Sequence, residues 1–289
     1  MIYLILSILF SSSLLIFFKL FEKYEVNAVM AIAINYLVAT IVGLFFIENP
    51  IRLVTSDLNW ILISIGLGVM FSIVFNLCRA TTQHIGVGIT SVAMKLGVVF
   101  PVLIGIVAYN EDFQCINYIG LTLGFISIIF LNKIDKSIDN KIDRLILFLP
   151  ILVWIGSGFC DSAVQLIEKK FPIPASNGMF SFTAFLAAAI SSLSFVIFKR
   201  MQWDMKSIIG GIGLGIPNYF SIYFLVKALQ EMKNDYHMDS SSLFMINNLA
   251  IVVLSVAIGL FLFKEKLNKY KIFGLILALL ALYLINFKI

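Results

Sequence analysis

The sequence predicts an all-α integral membrane protein with ten transmembrane helices, arranged as two inverted five-helix repeats around a central cavity. Its composition is the first reason. Hydrophobic residues make up 61% of the 289 residues and charged residues only 13%, with a mean hydropathy of +1.01. A soluble chain of this composition could not cover its own apolar surface, whereas a bilayer solvates it. The apolar runs are also continuous rather than alternating, which excludes a transmembrane β-barrel.

Ten apolar runs of spanning length are the second reason, since about 20 apolar residues cross a bilayer. Short connections join them and predict no inserted soluble domain. The longest polar break, 132–144, predicts a linker between a first five-helix repeat at 1–131 and a second at 145–289. The runs cover residues 2–20, 27–47, 58–77, 85–108, 113–131, 145–167, 177–198, 208–229, 240–263 and 270–287.

The third reason is that local patterns recur in the two halves. A turn glutamate precedes the fifth run (Glu111) and the tenth run (Glu265), each followed at the same step by a glycine. Two glycines separated by one residue occur in both the third and the eighth runs. Because each half holds an odd number of spans, successive copies must be inverted, a plan that recurs in secondary transporters with a midplane substrate site.

The distribution of basic residues predicts orientation. The connections after the odd-numbered runs hold fourteen of the 21 Lys and Arg residues, against six in the other connections. The positive-inside rule therefore places both termini outside the cytoplasm. The net charge of +5 lies in these connections, so nucleic acid is not an expected partner.

Lys95 and Asp161 are charges within apolar runs. A lysine near the middle of a span must face protein or water rather than lipid. Lys95 is therefore either a counter-charge for an anionic substrate or a structural partner of Asp161, and the two roles are compatible. Asp161 could also relay a coupling proton or serve as a hydrogen-bonded strut.

Further polar residues within the runs are candidate substrate ligands. The glycine-rich start of the eighth run predicts either a helix break or close packing, and the residues after it are candidates for the cavity. Amides in mid-membrane also hydrogen-bond across helices. The glutamates of the turns are expected to interact with the N-termini of the helices that follow them. The candidates are Asn218, Tyr223, Asn247 and Asn248, with Asn35 and Asn76 as weaker ones.

Ten spans, two repeats and the turn glutamates Glu111 and Glu265 resemble the drug/metabolite transporter superfamily, and within it the EamA-like ten-helix group. The resemblance implies a basket of spans 1–4 and 6–9 around a cavity, with spans 5 and 10 peripheral. It implies alternating access, and it places Lys95 and Asn248 at the cavity-lining centres of spans 4 and 9. Many relatives resemble proteins with both termini in the cytoplasm, which differs from the charge count.

These observations favour a secondary transporter, an exporter or exchanger, of a small polar or anionic metabolite such as an amino acid or organic anion. The alternatives are an exporter of hydrophobic cations and a membrane scaffold or lipid-handling subunit. Because motifs for phosphate binding, metal binding and hydrolysis are lacking, neither an enzyme nor a bound cofactor or metal is expected. The expected location is the bacterial inner membrane as a multi-pass protein. A coupling proton and a homodimer stay open.

Overall fold

The computed structural model describes residues 2–47, 58–109, 114–131, 144–171, 178–235 and 240–285. Within these ranges the secondary structure is helical throughout, as the composition predicts. The helices are α1 (Ile2–Lys23), α2 (Ala28–Leu44), α3 (Leu58–His84), α4 (Val87–Lys95), α5 (Val99–Tyr109), α6 (Cys115–Leu131), α7 (Arg144–Lys170), α8 (Met179–Phe198), α9 (Met205–Asp235), α10 (Ser240–Phe261) and α11 (Lys269–Ile285).

Large apolar side chains cover the outside of the bundle. Leu62, Ile129, Ile197 and Ile209 are each more than 60% exposed, which is the reverse of a soluble protein and is expected where lipid is the solvent. Six of the described helices are long and apolar enough to cross a membrane, and three shorter apolar helices accompany them. The fold is therefore that of a multi-pass membrane protein.

The fourth apolar run is broken rather than continuous. α4 ends at Lys95, a 3-10 turn covers Leu96–Val98, and α5 begins at Val99. The indole Nε1 of Trp154 on α7 donates a hydrogen bond of 3.0 Å to the Leu96 carbonyl, which supplies a partner beside the break. Gly97 lies so close to α7 that an added Cβ would be 2.8 Å from the Gly158 backbone nitrogen.

Most of the extensive helix contacts join the first half to the second. α2 packs along α9 and α8, α3 along α8 and α7, α1 along α9, and α4 along α10. One large apolar cluster lies between α1–α3 and α7–α9, and a smaller one joins α4, α6, α10 and α11. α6 and α11 pack chiefly on each other, as expected for the peripheral fifth and tenth spans.

The glycine-rich start of the eighth run forms regular helix, so of the two predicted alternatives the structure shows close packing and not a break. α9 runs without interruption from Met205 to Asp235 with Pro217 inside it. Its glycines allow close packing, because a Cβ at Gly211 would lie 2.5 Å from Ile34 and one at Gly215 would lie 2.7 Å from the Asn35 carbonyl.

Candidate functional site

A cavity of about 170 Å³ lies between the two halves of the chain. α1, α3 and α4 supply one side of it, and α9 and α10 supply the other. Eight of the thirteen lining residues are apolar, so the polar groups are few. The lining residues are Ser11, Leu14, Leu15, Phe18, Phe75, Ser91, Met94, Lys95, Ser221, Ile222, Leu225, Asn247 and Ile251.

α4 brings its polar groups to the cavity on one face. Ser91 and Lys95 are four residues apart, so their side chains lie one above the other on the helix. Ser91 is 1% exposed, and its hydroxyl has no hydrogen-bond partner among the described residues. A buried hydroxyl without a partner is costly, which makes it available to a ligand that enters the cavity.

Asp161 faces α4 from α7. The exposed Phe148, Leu152 and Phe159 mark the lipid face of α7, and Asp161 lies about 200° around the helix from Phe159. Ser157, one turn before Asp161, packs against Gly97 just beyond Lys95. The side chain of Asp161 is exposed, in contrast to that of the buried Ser157 one turn before it.

Lys95 and Asp161 interact electrostatically without forming a close ion pair. Among the described residues, no carboxylate oxygen lies within 4.0 Å of the Lys95 ammonium group. Opposite charges in a medium of low dielectric constant attract each other even where they are not in contact. Lys95 therefore borders the cavity and is also attracted by the Asp161 carboxylate.

Asn247 joins the cavity to a polar contact between the halves. It is 1% exposed, and its Oδ1 lies 3.4 Å from the Ser7 hydroxyl. The same hydroxyl lies 3.0 Å from the Ser221 carbonyl, so it can donate to either oxygen. Ser7 on α1 thus connects α9 to α10 at the edge of the cavity.

Asn35 and Asn218 lie away from the cavity and bond to each other. The Asn218 Nδ2 donates to the Asn35 Oδ1 over 3.1 Å, between α9 and α2. Both side chains are at least 96% buried. Their geometry is that of an interhelical hydrogen bond, and their predicted role as substrate ligands stays a prediction.

Tyr223, Asn76 and Asn248 are also absent from the cavity lining. Tyr223 packs in an aromatic cluster with Tyr219 and Phe46, and the Lys227 ammonium group lies 5.7 Å from the centre of its ring. The Asn76 Nδ2 donates to the Ser72 carbonyl one turn earlier in α3. Asn248 is half-buried, beside the cavity-lining Asn247 on α10.

Glu265 interacts with a different helix from the one predicted. The N-terminus of α11, which follows it, is capped by Asn268, whose Oδ1 accepts from the Lys271 N–H over 2.8 Å. Glu265 instead turns back, and its Oε1 accepts from the Val87 N–H over 2.7 Å, at the first residue of α4. The matching glutamate of the first half, Glu111, lies outside the described residues.

Sequence reasoning missed Ser91, Ser7 and Ser221. Ser91 carried a usable signal, since it lies one turn before Lys95 on the same face. Ser7 and Ser221 carried none, because serines are common in membrane helices and only the contact between α1 and α9 brings these two together.

Comparison with known proteins gives a family and a fold. Residues 148–287 match the EamA-like transporter family. An uncharacterized protein of Haemophilus influenzae is 26% identical over 290 residues, covering 97% of this chain and 96% of that protein. A solved crystal structure covers 96% of both chains with a TM-score of 0.56 at 14% identity, which shows similarity of fold alone.

The second half of the chain is thus similar to membrane transporters. The chain resembles the EamA-like transporter family, part of the drug/metabolite transporter superfamily, as the turn glutamates and ten spans led us to expect, and the match of residues 148–287 confirms this resemblance. The matched residues lie in its second half.

Proposed function

We propose that the protein is a secondary transporter, an exporter or exchanger, of a small metabolite that carries an anionic group, such as an amino acid or organic anion. The observation that carries this proposal is the cavity between the halves, with Lys95 as its cation and the Ser91 hydroxyl beside it. A lysine in mid-membrane is costly and is retained where it meets a substrate or a partner charge.

The size and lining of the cavity support a small substrate. Cavities of about 150 Å³ hold benzene, so a space of about 170 Å³ accommodates a molecule of similar bulk. Its lining suits an anionic head near Lys95 and a hydrogen-bonding group near Ser91 and Asn247. The apolar side chains around them, such as Leu14 and Ile251, suit a short apolar body.

Alternating access by two inverted repeats is the proposed mechanism. The pattern of helix contacts supports it. Exchanging spans 1–5 with spans 6–10 converts the packing of α1 on α9 into that of α7 on α3, and the packing of α2 on α9 into that of α8 on α3. α2 with α8, α4 with α10 and α6 with α11 map onto themselves. A two-fold relation between halves produces such a pattern.

Asp161 is proposed to couple transport to a proton. While it is ionised, its attraction for Lys95 competes with that of a substrate anion. Protonation of Asp161 removes this competitor and leaves the Lys95 charge to the substrate. In one state Lys95 and Asp161 attract each other. In the other state Lys95 binds the substrate anion and Asp161 binds a proton, and no covalent bond forms or breaks.

The test is a thermal-shift screen of the full chain in detergent, with wild type, Lys95→Met and the control Lys199→Met. Lys199 is an exposed lysine in the α8–α9 connection. A ligand at 100 times its Kd stabilises the folded state by about 2.7 kcal/mol. We expect amino acids or short organic anions to raise the Tm of wild type and of the control but not of Lys95→Met.

Transport of the responding compound is then measured by counterflow in proteoliposomes. Uptake by wild type and the control, absent with Lys95→Met, is the expected result. Stabilisation by tetraphenylphosphonium instead, lost in Asp161→Asn, would replace the anion with a hydrophobic cation as substrate. Binding without any counterflow would favour a scaffold or lipid-handling role.

A further inference from the structure

We propose that Glu265 is a positioning residue that sets the place of Lys95 in the cavity by holding the N-terminus of α4. The proposal rests on the proposed function, since it assigns importance to the place of Lys95. Its first observation is the 2.7 Å hydrogen bond from the Val87 N–H to the Glu265 Oε1, which joins residues 178 positions apart.

The carboxylate of Glu265 packs directly against two glycines, in space that a side chain at either position would fill. A Cβ added at Gly86 would lie 2.7 Å from the Glu265 Oε2, and one added at Gly259 would lie 2.5 Å from it. Gly86 precedes α4 and Gly259 lies in the last turn of α10, so the carboxylate fills a space between two elements. Any larger residue at Gly259 would occupy the place of the carboxylate.

α4 is bounded by a non-helical residue at its start and a 3-10 turn at its end, so its position depends on its contacts with neighbouring elements. Gly86, with φ +128°, adopts a conformation that other residues rarely take, and the 3-10 turn Leu96–Val98 follows Lys95. Between Gly86 and this turn α4 is a rigid unit of nine residues. At 1.5 Å per residue, Lys95 lies about 12 Å along the axis from the held N–H of Val87.

The hydrogen bond between the Val87 N–H and the Glu265 carboxylate can form and break reversibly. The first N–H groups of a helix have no acceptor within the helix, and a carboxylate there also meets the positive end of the helix dipole. Glu265 belongs to the second half and α4 to the first. Any rearrangement that separates α4 from the α10–α11 connection must therefore break this bond.

Four variants separate the role of the carboxylate from general damage. Glu265→Ala removes the acceptor carboxylate. Gly259→Ala keeps the carboxylate but fills the space in which it lies. Glu265→Gln keeps an acceptor oxygen without the charge and is the rescue variant. Gly66→Ala is the matched control, because a Cβ at this helical glycine would have no atom within 4 Å.

The first measurement is hydrogen–deuterium exchange of peptides from α4 in the full chain in detergent, and it needs no substrate. We expect exchange at the start of α4 to be at least tenfold faster in Glu265→Ala and Gly259→Ala. Glu265→Gln should lie between them and wild type, and Gly66→Ala should match wild type. Equal exchange in wild type and Glu265→Ala would overturn the proposal.

The second measurement reports position in the cavity. Ser91→Cys is introduced after Cys78, Cys115 and Cys160 are replaced by alanine, and its modification by neutral methyl methanethiosulfonate is timed. We expect Glu265→Ala and Gly259→Ala to change the rate at least threefold and Glu265→Gln to restore most of it. Faster exchange with an unchanged rate would make Glu265 a cap without a positioning role, which also contradicts the proposal.

A charged pair of reagents tests the proposed function separately. An anionic sulfonate reagent should modify Cys at position 91 faster than a cationic trimethylammonium reagent, because Lys95 lies one turn away. Equal rates in wild type would count against the anion site, while the exchange result and the neutral reagent would still decide the role of Glu265.

Discussion

At the scale of single residues, some polar side chains within the spans line the cavity, whereas others hydrogen-bond to protein groups elsewhere. Lys95 and Asn247 line it, and their role as substrate ligands stays a prediction. Asn35 and Asn218 satisfy each other instead. An amide in a membrane helix must be hydrogen-bonded, but the helix pattern does not say whether its partner is protein or substrate. The lysine was a stronger signal, because no uncharged partner compensates a buried ammonium group.

A residue at the membrane surface gives a prediction that depends on pH. Asp204 precedes α9, and its Oδ1 accepts from the Ser207 N–H over 2.8 Å. The Ser207 hydroxyl donates to its Oδ2 over 2.6 Å. These hydrogen bonds, the side-chain bond first, lower the pKa of Asp204 below its usual value. Ser207 in turn accepts from the Asn27 N–H, which joins the start of α2 to this cap.

We expect Asp204→Ala to destabilise the protein by about 1 kcal/mol at pH 7, the usual cost of losing an N-cap. Because the folded pKa is depressed, this contribution is complete above the unfolded pKa of about 3.9 and is lost as the pH falls through the folded pKa. Thermal unfolding at pH 7 and pH 3 checks it. Asp204→Asn, which caps without titrating, should keep its stability at both values, and an equal deficit of Asp204→Ala at both would contradict the assignment.

At the scale of helices, small residues decide how closely the two halves approach. Gly68 of α3 and Gly215 of α9 are the second glycines of the two recurring pairs. Each packs against a helix of the other half, Gly68 on α8 and Gly215 on α2. The pairs were found as a repeated sequence pattern, but that the second glycine of each meets the backbone of the other half depends on the rotation of the helices.

We expect Gly68→Ala and Gly215→Ala each to cost about 1–3 kcal/mol, as overpacking does. Their Cβ atoms would lie 2.3 Å from the Ala184 carbonyl and 2.7 Å from the Asn35 carbonyl, where the backbone cannot move freely. Thermal unfolding in detergent, with size-exclusion chromatography, measures the effect. Gly66→Ala should be neutral or slightly stabilising, and a similar loss there would show that the cost is not steric.

At the scale of the whole molecule, the cavity exists only because helices from both halves meet. α1, α3 and α4 contribute to it from the first half, and α9 and α10 from the second. The ends of α1 and α8 lie on the same side, since Asn27 bonds to Ser207 just beyond them. The charge count of the sequence assigns most of the basic residues to this side.

The charge count predicts that this basic side is cytoplasmic. Cysteines placed at Tyr24 and Gln202, in a chain with its native cysteines replaced, should resist an impermeant thiol reagent added to intact cells. A cysteine at Phe45, at the opposite end of α2 and 82% exposed, should react. The reverse labelling pattern would mean that the termini are cytoplasmic, as the family resemblance implies, and that the charge rule fails in this chain.

The sequence by itself determined the membrane class, the helical spans and the presence of a charge in the fourth span. Each of these follows from local composition, because a bilayer requires about 20 apolar residues per span and tolerates few charges within one. It also indicated the EamA-like family through the turn glutamates and the ten spans, and the match of residues 148–287 confirms that resemblance.

Only the tertiary structure decided which partners the polar groups contact. The hydrogen bonds from Asn218 to Asn35 and from Val87 to Glu265 join residues distant in the chain, and the break after Lys95 lies beside another such bond, from Trp154 to the Leu96 carbonyl. Helix periodicity specifies which residues share a face but not which neighbour that face meets. That choice is made by the packing of the two halves, which depends on side-chain volumes across the whole bundle.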